Sequence, residues 1–310
     1  MCIRDRDTQG HTRTTEDRTF PTRAPRVAAV PGDYATIAAA LAQASYCDGV
    51  QVAAGAYAEN GLTVPDGVYL HGAGWEQTTL AGNGTSNVLT LSPGSEVEGF
   101  TIQGSGTDYF HAGVWVDRGP VTLRDNRITG NATGVWAWCF DVATCALQVT
   151  LEGNLITGNA RDGLDSNEFA VFTVRNNTVV DNGGRGMTLN NAASLAENNL
   201  AVGNGTGIAN NAGATVQYNL SWDNGTNYSG AQGTGNLMLD PFFRNRDSGD
   251  YRLYAGSPAV GHGTPPGTDM GALPFTPVGN PPEELTVSAA GEDVWRVSWT
   301  GNGATGYVLY

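Results

Sequence analysis

Not one lysine occurs in the 310 residues; all 16 basic residues are arginine, set against 30 aspartates and glutamates. The formal net charge of −14 leaves no field to gather a polyanion, so neither nucleic-acid binding nor adhesion to an anionic membrane is expected. Cysteine is sparse, with four residues. Cys139 and Cys145 bracket a short loop and could form a disulfide, which would imply an oxidising compartment, or could stay reduced. Cys47 reads as a small buried residue. Cys2 lies in the opening MCIRDR, which resembles translated library adapter and is set aside. The four histidines, His11, His71, His111 and His262, are scattered and lack the pairing of a transition-metal site. No apolar run is long enough to cross a membrane. No signal peptide is visible either, but a chain beginning in adapter-like sequence is expected to have lost its leader.

What the chain has is glycine, 43 of them, and a recurring pair of asparagines. VTLRDNRITGN (121 to 131) is followed by VTLEGNLITGN, FTVRNNTVVDN, SLAENNLAVGN and ATVQYNLSWDN, ending at Asn159, Asn182, Asn204 and Asn224. The first asparagine of each pair stands at 126, 154, 177, 199 and 219, intervals of 28, 23, 22 and 20 that signal a solenoid. Short alternating runs broken by Gly and Asn, with no helical period, make it a solenoid of strands. A leucine-rich repeat shares the period but needs a dense leucine spine, whereas Val, Ile, Ala and Thr fill those places here. Each asparagine is expected to take the left-handed conformation of a tight turn. With coils stacked about 4.8 Å apart, equivalent amides should hydrogen-bond along the stack. Val114, Val135, Leu164, Met187 and Ile208, one place after a glycine in each unit, should form one inward apolar column.

The stretch PGDYATIAAALAQASYCDGVQVAAGAYAENGLTVPDGVYLHGAG resembles the beginning of right-handed parallel β-helix proteins of the pectate-lyase-like superfamily. In them a short helix caps the open end of the stack and the first strand follows. Asp33 or Thr36 can cap that helix, whose Ile37, Leu41 and Ala44 share a face. VLTLSPGSEVEGFTIQG resembles a further coil with Gly104 in the place of the second asparagine. LDPFFRNRDSGDYRLYAGSPAVGHGTPPGTDMGALPF is similar to the segment that closes many such helices, and LTVSAAGEDVWRVSWTGNGATGYVLY resembles the first strands of a fibronectin type III domain with Trp299 as its core tryptophan. The expected architecture is therefore all-β: a right-handed parallel β-helix with a short N-terminal capping helix over 29–275. A leader (1–28) precedes it; a Pro/Gly linker (276–283) and a cut fibronectin-like module (284–310) follow it.

Chemistry in such a helix must come from outward side chains. Aligned on the glycines, the coils place Trp115, Trp136, Asp165, Thr188 and Ala209 in one outward column and Asp117, Trp138, Asn167, Asn190 and Asn211 in another, with His111, Arg161, Asp162 and Arg185 just before the glycines. The insertion FDVATC beside Trp138 should form a raised loop. Tryptophan faces bind sugar rings, and carboxylates and amides fix hydroxyls, so Trp115, Trp136, Trp138, Asp117, Asn167 and Asn190 are the candidate substrate-binding residues. Outward tryptophans can equally pack beneath that loop, and Arg161 can simply pair with Asp162 or Asp165. The superfamily resemblance implies saccharides on the same strand face. It leaves catalysis open, because the superfamily holds lyases, hydrolases, esterases, epimerases and non-catalytic surface proteins.

Two enzyme readings follow. Uronate β-elimination needs a neutraliser for the substrate carboxylate and a base: Asp162, Asp165 and Glu168 could hold calcium through hard oxygens, and Arg161, Arg185 or His111 could serve as clamp or base. Without lysine, the lysine-base lyases of the superfamily are excluded. Glycoside hydrolysis needs two carboxylates, for which Asp162 and Asp165 are the candidates. GHG at 261–263 matches a polygalacturonase tripeptide, but its companion NTD and RIK elements are missing, as is an epimerase DPHE. The reading is a secreted or cell-surface protein that recognises polysaccharide through this face. A polysaccharide lyase or hydrolase on the same face is the alternative, and a non-catalytic adhesion scaffold the second.

Overall fold

The computed structural model describes residues 24–139, 147–276, 284–291, 294–300 and 307–309. Three parallel sheets run the length of a solenoid: sheet I of nine strands from Val27–Val30 to Thr215–Gln217, sheet II of eight from Gly55–Tyr57 to Leu220–Trp222, and sheet III of eight from Leu62–Val64 to Thr226–Gly230. The chain visits I, II and III in turn. In one coil these are Val121–Arg124, Arg127–Thr129 and Thr133–Ala137. Alternate residues face inward, and the expected column is present: Val114 pairs with Val135, Val135 with Leu164, Leu164 with Met187 and Met187 with Ile208, all buried.

The asparagines form two files, one at each turn flanking sheet II. Asn126 donates its side-chain amide to Asn154 Oδ1 (3.2 Å), Asn154 to Asn177 (2.9 Å), Asn177 to Asn199 (3.1 Å), Asn199 to Asn219 (2.9 Å) and Asn219 to Asn236 (3.2 Å). The second file runs Asn131, Asn159, Asn182, Asn204, Asn224. Each Oδ1 also accepts the backbone N–H of the asparagine one coil back, as Asn177 does from Asn154 at 2.9 Å. The left-handed residue, however, is not the asparagine but the one before it: Asp125, Gly153, Asn176, Asn198 and Tyr218 in the first file, and Gly130, Gly158, Asp181, Gly203 and Asp223 in the second. Only that arrangement turns the asparagine side chain inward, where the ladder needs it. By the same rule Gly104 (φ 81°) is the left-handed residue, and Ser105 takes the ladder place, its N–H donating to Asn131 Oδ1 at 3.1 Å.

The helix Ile37–Gln43 closes the N-terminal end. Thr36 is its N-cap, accepting from Ala39 N, while the Glu59 carboxylate accepts from Ile37 N and Ala38 N, so three first-turn donors are satisfied. Ile37, Ala40 and Leu41 bury the inner face. A strand precedes this helix rather than only following it: Val27–Val30 begins inside the stretch set aside as leader, and pairs with Gly49–Val52. Cys47 is not a plain buried residue, since both it and Cys139 are disulfide-bonded. The FDVATC loop with Cys145 lies outside the described residues.

The closing segment does not cap the far end but folds back along the outer face of sheet II. The antiparallel pair Phe243–Asn245 and Asp250–Leu253 begins this strap. Tyr251, Leu253, Ala259 and Met270 bury Leu155, Val180, Leu200, Val202 and Leu220, a second apolar core outside the solenoid. Ala272 N donates to Thr178 Oγ1 (3.0 Å) and Asn198 Nδ2 to Thr264 O (2.7 Å), so corner residues serve as anchors. Sheet I carries on its outer face a file in register, His71–Glu98–Arg124–Glu152–Arg175–Glu197–Gln217. Its charges pair with one another, as in Arg124–Glu152 (3.4 Å) and Arg175–Glu197 (3.2 Å). The strap thus covers much of sheet II and sheet I is self-neutralised, while sheet III keeps neither feature. Glu284–Gly291, Val294–Thr300 and Tyr307–Leu309 form a separate antiparallel sheet.

Candidate functional site

The outward column of sheet III is in register as its sequence spacing requires: Thr90 beside Trp115, Trp115 beside Trp136, Trp136 beside Asp165, and Thr188 beside Ala209. Trp136 nevertheless is not a surface residue. It is 2% exposed. The segment between the second and third strands of its neighbouring coil lays Phe110 flat on it (ring centres 5.6 Å apart, planes 7° apart) and Tyr109 edge-on at 5.0 Å. Trp115 and Trp138 pack at 5.4 and 5.9 Å. The solvent-facing rings of this cluster are therefore Tyr109 and Phe110, both more than half exposed, with the half-buried Trp115 and Trp138 beside them. Those two rings were missed in the sequence because they sit in a loop outside the repeat; the only signal was two adjacent aromatics, TDYFHAG, just before the Gly113 unit.

Arg161 is fixed against this cluster, its guanidinium 5.1 Å from the centre of the Tyr109 ring and Nη2 3.5 Å from Thr107 O. Four buried polar atoms on this face have no hydrogen-bond partner: His111 Nδ1, Trp136 Nε1, Arg161 Nη1 and Thr188 Oγ1. They are four of the six such side-chain atoms among the described residues, and an unsatisfied buried donor costs about 1–3 kcal/mol. Next to them lie the acids. Asp162 Oδ1 accepts from Arg185 N at 2.5 Å, and Asp165 Oδ1 from Ser166 N at 2.9 Å. Burial first, and the charge of Asp162 second, push the Asp165 carboxyl above its ordinary range; the Ser166 amide and the Arg185 charge offset this in part. So Arg161, Asp162, Asp165, Arg185 and His111 do gather around the aromatic face.

The other candidates have structural work. Asn167 is buried and donates to Cys139 O (2.7 Å) while accepting from Phe169 N. Asn190 donates to Ser166 O (2.6 Å) and accepts from Asn211 (2.8 Å), part of an amide chain at the corner leaving sheet III. Both hold the turn through these hydrogen bonds. Asp117 is half-buried and pairs with Arg118 at 3.7 Å. Glu168 is exposed, and Asp162, Asp165 and Glu168 do not gather as the calcium reading required: among the described residues no three His, Cys, Asp or Glu side chains group as metal ligands would. His262 of the GHG tripeptide is exposed on a turn of the strap, its Nδ1 2.9 Å from Val260 O.

No curated protein matches the chain significantly. Among solved structures, a pectin methylesterase in complex with a hexasaccharide is similar at 15% identity and a TM-score of 0.40, over 61% of this chain and 65% of its own. The A-module of mannuronan C-5 epimerase AlgE6 from Azotobacter vinelandii is similar at 19% and 0.44, over 65% and 68%. Pectate lyase Pel9A is similar at 14% and 0.45, over 83% and 98%. The sequence profile described as right handed beta helix region matches residues 66–224, just over half of the 310 residues. The chain thus belongs to the right-handed β-helix family.

Proposed function

We propose that the outer face of sheet III recognises a polysaccharide, in a protein that works outside the cell or on its surface. The observation that carries this is the gathering of exposed and half-exposed aromatic rings, Tyr109, Phe110, Trp115 and Trp138, on one face with Arg161 fixed against them. Phe110 and Tyr109 stay more than half exposed while covering Trp136, so the cluster turns apolar ring surface to water where a sugar face could stack. The rings of Tyr109, Phe110, Trp115 and Trp138 supply platforms for the faces of successive residues, and Arg161 and Arg185 supply hydrogen-bonding forks. The disulfide-bonded Cys47 and Cys139 support an oxidising location. The C-terminal antiparallel strands fit the start of a fibronectin-like module, of the kind common in surface proteins. Affinity electrophoresis of the full chain against a panel of plant and bacterial polysaccharides tests the reading. One polysaccharide should retard the protein, and Trp115→Ala should weaken the retardation by about tenfold. No retardation by any of them would refute it.

One observation favours a second reading, hydrolysis at this face. Asp165, with a raised carboxyl, beside an Asp162 stabilised by the Arg185 amide is how an acid and a carboxylate are set apart for glycosidic cleavage. Asp165 would protonate the departing glycosidic oxygen, and Asp162 would act on the anomeric carbon or its water. Asp165→Asn should then abolish the release of reducing ends while retardation persists. Retardation without any new reducing ends in the unsubstituted protein would leave binding alone.

A further inference from the structure

A different part of the molecule has the features of a ligand site. Where the strap crosses the last strands of sheet II, a cavity of about 420 Å³ opens, within the roughly 300–1,000 Å³ of small-ligand pockets. Its floor is Arg246, which donates through Nη2 to Asp181 Oδ1 (2.5 Å), through Nε to the same oxygen (3.1 Å) and through Nη1 to Asp223 Oδ2 (2.6 Å). Gly203 makes this clamp possible, since a Cβ there would run into the Arg246 guanidinium and the Asp181 carboxylate. Tyr251 O–H donates to Asp181 Oδ2 (3.1 Å), so the polar floor is rigid. Anchoring the strap explains all of this.

It does not explain the rim. Trp222, Phe242 and Tyr254 line the cavity and stay 37%, 50% and 55% exposed. Phe242 moreover sits in the left-handed region at φ 53°, a conformation that costs an ordinary residue roughly 1–2 kcal/mol. Asp240 Oδ1, accepting from Phe242 N (2.8 Å), and Tyr254 N, donating to Phe242 O (3.1 Å), hold it there. A strained backbone that presents an apolar ring to water needs a compensating use.

We infer that this cavity is a second saccharide site, selective for neutral pyranose chains. Three aromatic rings supply stacking surface, and the Asp223 and Asp240 carboxylates accept from sugar hydroxyls. Two carboxylates, Asp223 and Asp240, line the cavity with one guanidinium, which Asp181 and Asp223 already neutralise, so a uronate would be repelled where a neutral sugar is not. The inference does not rest on the sheet III reading. The test is isothermal titration calorimetry of the full chain with cellohexaose, xylohexaose, mannohexaose and hexagalacturonate. At least one neutral hexasaccharide should bind, and Trp222→Ala and Tyr254→Ala should each weaken it by about tenfold or more. The inference is overturned if no neutral hexasaccharide binds, if binding survives both rim substitutions, or if hexagalacturonate is the ligand that depends on Trp222.

Discussion

A single buried asparagine in this chain closes five hydrogen-bond contacts that no other side chain of its size could close together. Asn177 accepts from Asn154 N and Nδ2, and donates to Asn199 Oδ1 and to the Leu151 and Arg175 carbonyls, with no exposure. Removing it strands donors on one coil and acceptors on the next. Asn177→Ala should therefore destabilise the protein by about 3 kcal/mol, and Asn224→Ala, half-open at the end of its file, by only about 1 kcal/mol. Urea unfolding at an unchanged slope checks both. The recurrence of the asparagines was plain in the sequence, but not the division of labour inside each turn. Tolerance of the left-handed region belongs to both Asn and its predecessor by type. Only the inward placement at Asn126, Asn154 and Asn177 decides that Asp125, Gly153 and Asn176 take the positive φ.

At the scale of elements, the outer face of sheet I shows a second pattern that was legible yet overlooked. The residue two before each first asparagine reads Arg124, Glu152, Arg175, Glu197, Gln217, and stacking turns that alternation into a file of opposite neighbours. Cross-strand pairs of this kind contribute a few tenths of a kcal/mol each. Asp125 breaks the rule. Burial chiefly, then the charges of Glu98 and Glu152, raise its carboxyl above the ordinary value of 3.8, with Arg124 opposing. A carboxylate raised in the folded state penalises folding above its folded pKa and ceases to matter once pH falls below the unfolded value. Asp125→Asn should thus raise the melting temperature at pH 7, with the gain shrinking through the acid range and gone below about pH 3.8. An equal gain at pH 3 and pH 7 would show that the ionised group is not the cause. The strap was the element the sequence could not place. Its chain position says that it follows the last coil, but nothing periodic in it says which face it returns to. Leu155, Val180 and Leu200 lie on the outward side of sheet II and are apolar because the strap covers them.

For the whole molecule, three faces have three fates: sheet I closes on its own charges, sheet II is buried under the strap, and sheet III is left with aromatic rings, two acids and two arginines. Repeat spacing alone was enough to bring Trp115, Trp136 and Asp165 into one column. It could not show Phe110 lying on Trp136, because a loop without a period carries no register. The most direct measurement of the central claim is tryptophan oxidation footprinting of the full chain, read by mass spectrometry, with and without the polysaccharide that retards it. Protection of Trp115 and Trp138 on sheet III, with Trp75 beside the strap unchanged, is the expected result. Equal oxidation of Trp115 and Trp138 in the two states would contradict the account.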